Sequence, residues 1–281
     1  MRTLNKPKHL AGLLSAALVL GFALTAQPAL AATGIATTKH NLGSSTGSNV
    51  NWVTSAALNG EICVFCHTPH GSDTSAAAPL WNKQLPSGTN YTTYASLNSG
   101  TMDGIVGKPG AISLACLSCH DGAQAMDNII NAPGSGGYDA TGGGASGRGY
   151  TWTGANQTAG KMNSFANLST DLSNDHPVGV EYCGGPSGAI GTCKDADFVL
   201  PTAAGGQMAT GPWWVDTGDG TGGSRQKTDM ILYAAKAERT TGTGPQVECA
   251  SCHDPHSTNG LFLRRTNGNQ NSVTCLSCHV K

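Results

Sequence analysis

Cys63-Val64-Phe65-Cys66-His67, Cys116-Leu117-Ser118-Cys119-His120, Cys249-Ala250-Ser251-Cys252-His253 and Cys275-Leu276-Ser277-Cys278-His279 place eight of the ten cysteines in one repeated pattern. Cys-x-x-Cys-His is the attachment signature of c-type haem, and its spacing has a physical reason. Two thiols one helical turn apart can each form a thioether to a haem vinyl group. The next residue then lies beneath the porphyrin, where its imidazole reaches the iron. The cysteine pairs are thus candidate attachment points for four covalently bound haem c groups, with His67, His120, His253 and His279 as candidate iron ligands. Paired Cys-x-x-Cys also builds zinc ribbons, but a ribbon has no need of His directly after the second cysteine, and here it follows every time. A disulfide oxidoreductase uses one such motif on an α/β scaffold.

Four haem irons have eight axial positions. Beyond the four motif histidines, the chain after residue 31 contains only His40, His70, His176 and His256. The equality predicts two histidines on every iron. Met102, Met126, Met162, Met208 and Met230 are the alternative ligands, and methionine would raise the potential relative to histidine. His70 and His256 each lie three residues past a motif histidine, in His67-Thr68-Pro69-His70 and His253-Asp254-Pro255-His256. Neither can reach the far face of its own haem, and the proline turns the chain away. The expectation is therefore close haem pairs, first with second and third with fourth. His70 is expected on the haem of His120, and His256 on that of His279. His176, before Pro177, could reach the first or third haem. His40 lies on a polar arm able to swing to its own haem or to a neighbouring molecule.

Further out, residues 1–31 read as a secretory leader. Arg2, Lys6 and Lys8 precede an apolar or small-residue stretch from Leu10 to Leu24, and Ala29-Leu30-Ala31 ends it with a small-x-small site. The stretch is short for a membrane span, and no later one qualifies. Export agrees with covalent haem attachment, which takes place outside the cytoplasm. Removing the leader leaves 13 of the 16 basic residues against 17 acidic ones, a net −4. That excludes the basic face of a nucleic-acid binder.

Residues 32–281 are expected to form one tetrahaem domain, mostly irregular, with short α-helices at the motifs and little β structure. Four stacked haems would form its apolar centre, in place of the aliphatic core that 39 glycines and 12% charged residues do not supply. A glycine-rich insert of about 131–225 separates the second and third motifs and reads as loops and turns. Within it Cys183 and Cys193 are expected to pair in an oxidising compartment. Helices are predicted over Ser55–His67, Gly110–His120 and Thr228–Glu238. Short strands are predicted over Val178–Tyr182 and Phe198–Leu200. Asn90-Tyr91-Thr92 and Asn167-Leu168-Ser169 match the glycosylation sequon, a pattern frequent by chance.

Thr38-Lys39-His40-Asn41-Leu42, Ile62-Cys63-Val64-Phe65-Cys66-His67-Thr68-Pro69-His70-Gly71, Pro79-Leu80-Trp81-Asn82, Leu117-Ser118-Cys119-His120-Asp121-Gly122, Asp175-His176-Pro177-Val178 and Val247-Glu248-Cys249-Ala250-Ser251-Cys252-His253-Asp254-Pro255-His256 resemble the doubled-motif cytochromes of metal-reducing bacteria. In haem number, ligand inventory and order the chain is most similar to the tetrahaem extracellular nanowire cytochromes, the OmcE-like group. The resemblance covers both ends of the mature chain and is weak from about Gly134 to Arg225. It implies electron transfer without catalysis, and an extracellular homopolymeric filament in which one subunit's histidine completes a neighbour's iron. His40 is the expected crossing residue. Redox donor and acceptor proteins or extracellular acceptors would be the other partners. Haem sites near both termini and a surface poor in charge suit end-to-end packing, because a diffusing carrier finds partners through charged patches. A soluble periplasmic tetrahaem carrier is the alternative. A nitrite- or hydroxylamine-type enzyme would need one open iron, and every iron here has a histidine available.

Overall fold

The residues between the motif cysteines anchor each motif turn, while the cysteines stay nearer the surface. Phe65, Leu117, Ser118, Ala250, Ser251 and Ser277 are buried, whereas Cys63 and Cys275 are exposed and the other six motif cysteines half-buried. The computed structural model describes residues 34–43, 51–54, 60–132, 151–188, 191–203, 213–218, 222–233, 244–265 and 269–280. The chain divides into Met1–Ala31 and Ala32–Lys281, and all described residues fall in the second unit. The predicted leader lies outside them.

The described chain is mostly irregular. Two α-helices, α1 (Ala111–His120) and α2 (Cys249–Cys252), carry the second and third motifs, and single 3-10 turns (Cys63–Phe65, Cys275–Ser277) carry the first and fourth. The helix expected over Ser55–His67 is reduced to that first turn, and residues 55–59 lie outside the description. Nine short strands make small antiparallel sheets: β1 (Trp52–Thr54) with β2 (Thr151–Thr153), β3 (Gln157–Thr158) with β4 (Lys161–Met162), and β5 (Val180–Glu181) with β9 (Gln246–Val247). The fourth sheet has the order β6 (Thr202–Ala203), β7 (Trp213–Val215), β8 (Met230–Leu232). Among the described residues no helix is long and apolar enough to cross a membrane.

The helix predicted over Thr228–Glu238 is a correction: Met230–Leu232 is strand β8. Met230 and Leu232 are buried while Ile231 is half-buried, so the burial period is two rather than 3.6. The Asp229 carboxylate makes the turn before it, accepting from Thr217 N at 3.0 Å and Gln226 N at 2.5 Å. Residues 234–238 lie outside the described set. The insert is also less loop-like than its glycines suggest. Trp213, Trp214 and Val215 are all buried in β7, because a run of two indoles and a β-branched side chain fits a covered strand. Phe198–Leu200 forms no strand. Instead Phe198 bridges to His279, and Val199 N donates to Cys278 O at 2.9 Å.

Among the described residues the buried apolar side chains gather in three small clusters. Val53 and Phe65 pack with Leu42, Cys66 and Trp152 beneath the first motif. Tyr91, Leu117 and Leu172 pack with Leu114, Leu168 and Val178 beneath the second. Tyr182, Cys183, Trp213, Val215, Met230 and Leu232 support both Cys252 and Cys278. The expected Cys183–Cys193 disulfide is present and belongs to this last cluster. The insert therefore contributes to the support of every motif, through Trp152, through Leu168, Leu172 and Val178, and through Tyr182, Trp213 and Val215.

Candidate functional site

In three of the motifs the carbonyl of the first cysteine accepts the histidine's backbone N–H, closing one helical turn. The bonds are His67 N to Cys63 O at 2.7 Å, His253 N to Cys249 O at 3.1 Å and His279 N to Cys275 O at 3.0 Å. The second motif achieves the same aim at the end of α1. Beyond the turn, a backbone carbonyl fixes three of the motif rings. Pro79 O lies 2.7 Å from His67 Nδ1, Ala166 O 2.8 Å from His120 Nδ1 and Leu261 O 2.7 Å from His253 Nδ1. A carbonyl on Nδ1 leaves Nε2 for a metal and orients the ring, as in metal-bound histidines generally. The His279 ring packs on Phe198, ring centroids 4.3 Å apart. The four pairs of free thiols and these oriented rings fit covalent haem.

The first and third motifs are one structural repeat. A return segment lies antiparallel to each, bridging His67 to Trp81 and His253 to Leu263. Asn82 N donates to Cys66 O at 2.9 Å, and Arg264 N to Cys252 O at 2.9 Å. The side chains repeat the relation: Asn82 Nδ2 reaches Val64 O at 2.6 Å, and Arg264 Nε reaches Ala250 O at 2.9 Å. The residues that hold the rings, Pro79 and Leu261, occupy the same place in each copy. Only Pro79-Leu80-Trp81-Asn82 and Leu261-Phe262-Leu263-Arg264 hint at this in the sequence, and backbone carbonyls leave no residue-type signal.

Consecutive motifs are neighbours throughout. Burial pushes the Cys66 thiol up to about 12, with the charge of Cys119 adding to the effect. The hydrogen bond between Cys116 and Cys249 raises the former and lowers the latter. Burial likewise raises Cys252 to about 12, with Cys278 and Cys275 contributing, and Cys278 to about 11. Glu248 locks the second motif to the third. Its carboxylate accepts from Gly110 N at 3.0 Å, at the start of α1, and from the Ser113 hydroxyl. Ser113 Oγ in turn accepts from Cys249 N at 2.9 Å. Gly110 is required there, because a Cβ would meet Glu248 Oε1 at 2.5 Å. Glu248→Ala strands these buried donors and is expected to cost about 2–4 kcal/mol, with Glu248→Gln costing less. Chemical denaturation of the haem-loaded protein reads the difference.

Of the four further histidines, the structure brings two opposite motif rings. His67 and His256 have ring centroids 6.1 Å apart and planes 11° apart, and His40 and His120 have centroids 6.2 Å apart at 82°. Both centroid separations are compatible with a metal atom bound between the two rings by bonds of about 2 Å. Burial, and then the neighbouring His120, holds His40 down to about 4, so its imidazole is neutral, the form that ligates metals. His40 Nδ1 is 3.1 Å from Pro255 O, and its ring stacks on Phe262 at 4.1 Å. The rings brought together differ from the pairs expected from the sequence: His256 lies beside His67, and His40 lies beside His120. The physical reason is the return fold of the third motif, which carries Pro255 and His256 back toward the first motif and the His40 arm. His70 and His176 are exposed.

No curated protein matches the chain. Residues 244–281 match the family model of the doubled CXXCH motif, the segment carrying the third and fourth motifs, and this match supports a multihaem c-type cytochrome.

Proposed function

We propose that the chain is an exported tetrahaem cytochrome that carries electrons through bis-histidine haems and polymerises into an extracellular conductive filament. The observation that carries the reading is the closeness of two histidine pairs, His256 to the motif's His67 and His40 to the motif's His120, with ring centroids 6.1 and 6.2 Å apart. His256 serves the first motif's iron and His40 the second's. His70 and His176 remain for the third and fourth, and one of these exposed residues, in place of His40, is the ligand that crosses between subunits. Cys63, Cys66, Cys116, Cys119, Cys249, Cys252, Cys275 and Cys278 hold the haems, and no residue is assigned a catalytic role.

Bound haem supplies one-electron chemistry. The protein holds two imidazoles in place by their Nδ1 atoms, so coordination changes little between oxidation states. It also sets consecutive attachment sites side by side, which gives electrons a short route along the chain.

Negative-stain electron microscopy of native haem protein sheared from the cell surface, identified by mass spectrometry, tests the proposal. Filaments with one subunit repeat are expected. Monodisperse small particles alone would leave the soluble periplasmic carrier, with all four distal histidines serving their own chain. Rapid cyanide binding to one haem, or turnover of nitrite, would revive the enzyme reading.

A further inference from the structure

Lys83 has 0% of its surface exposed. Its ammonium donates to Ala125 O at 2.9 Å and Asn128 O at 3.2 Å, both uncharged acceptors. Enclosing a cation among carbonyls is costly, and the described fold does it beside the first motif. Asn82, the preceding residue, is tied to that motif twice, through Cys66 O and Val64 O. In the third motif's repeat, Arg264 stands in Asn82's place, is half-buried, and donates to Lys227 O at 3.3 Å. Lys83 is the more deeply enclosed of the two cations, and its two acceptors carry no charge to offset it.

We propose that Lys83 raises the reduction potential of the haem attached at Cys63 and Cys66. Ferric haem carries one more positive charge than ferrous haem, so a fixed cation nearby disfavours oxidation. A buried charge acts through a lower dielectric than an exposed one. The first haem is then an electron resting point above the potential its two histidines alone would give. The inference rests on the tetrahaem reading.

The test is a spectroelectrochemical titration of haem-loaded wild type, Lys83→Met, Lys83→Gln and Lys83→Arg. In the Met and Gln variants one redox step is expected to move to lower potential. The ferrous-to-ferric ratio of that haem falls about tenfold at fixed potential, equivalent to about 59 mV for one electron. Lys83→Arg stays near wild type, and the other steps hold. Cys63→Ala with Cys66→Ala removes the step that moves. Where Lys83→Met loads haem poorly, Lys83→Gln carries the test, since its amide can still donate to both carbonyls. Unshifted steps in fully loaded Lys83→Gln, or an equal shift of every step, overturn the inference. Failure of the tetrahaem reading is distinguishable, because it shows as missing covalent haem in the wild type before any potential is measured.

Discussion

Chain exported without haem attachment is expected to lack a cooperative unfolding transition and to be cleared by proteases, whereas the haem-loaded chain unfolds sharply. The reason is the size of the apolar clusters. Among the described residues, the buried members are Val53 and Phe65 at the first motif, Tyr91, Leu117 and Leu172 at the second, and Tyr182, Cys183, Trp213, Val215, Met230 and Leu232 at the third and fourth. Clusters of this size cannot offset the ordering entropy of a chain with 39 glycines. Each lies against motif residues, so a haem held at that place would complete its apolar surface. The thiols point the same way. Burial pushes Cys66 and Cys252 up to about 12, and because the thiolate is the reactive form, these two thiols are expected to load faster in an unfolded chain than in a folded one. Thermal unfolding and limited proteolysis of Cys-to-Ser chains, compared with loaded protein, check this. A haem-free chain with a sharp transition would show that the polypeptide alone organises the fold.

The second large effect concerns the axial pairs. His256→Ala and His40→Ala are each expected to convert one haem in four from low-spin to high-spin in the electron paramagnetic resonance of the ferric protein. The haems can be told apart by a double change. In a chain lacking the first attachment site through Cys63→Ala and Cys66→Ala, His256→Ala adds no high-spin signal, while His40→Ala still does. Filaments persist in His40→Ala, because that ring faces His120 within its own chain at 6.2 Å. They are lost in either His70→Ala or His176→Ala. If His256→Ala still adds a high-spin haem when the first site is absent, the pairing with His67 is wrong.

The motifs, the disulfide, the helix Gly110–His120 and the scarcity of regular structure were legible because each depends on local spacing or composition. Cys183 and Cys193 are a case in point: no histidine follows the second, and ten positions separate them, a span a loop closes easily. Which histidine faces which was illegible. It depends on the return segments Pro79–Lys83 and Leu261–Arg265, whose contribution is mostly backbone carbonyls and strand-like bonds. Met230–Leu232 misled for another reason. Met, Ile and Leu suit a helix stripe as well as a short strand, and the deciding partner, Trp213–Val215, pairs with it across an intervening stretch rich in glycine. Glu248 is likewise silent in sequence, although it ties α1 to α2 across 138 positions through Gly110.

Intact-mass spectrometry of the mature chain, purified after export and measured under denaturing and reducing conditions, decides whether the four motifs carry covalent haem. The expected mass is that of the polypeptide from Ala32 plus four haems, all retained because each is held by thioethers. A mass equal to the bare polypeptide, or to one with metal lost on denaturation, would contradict it.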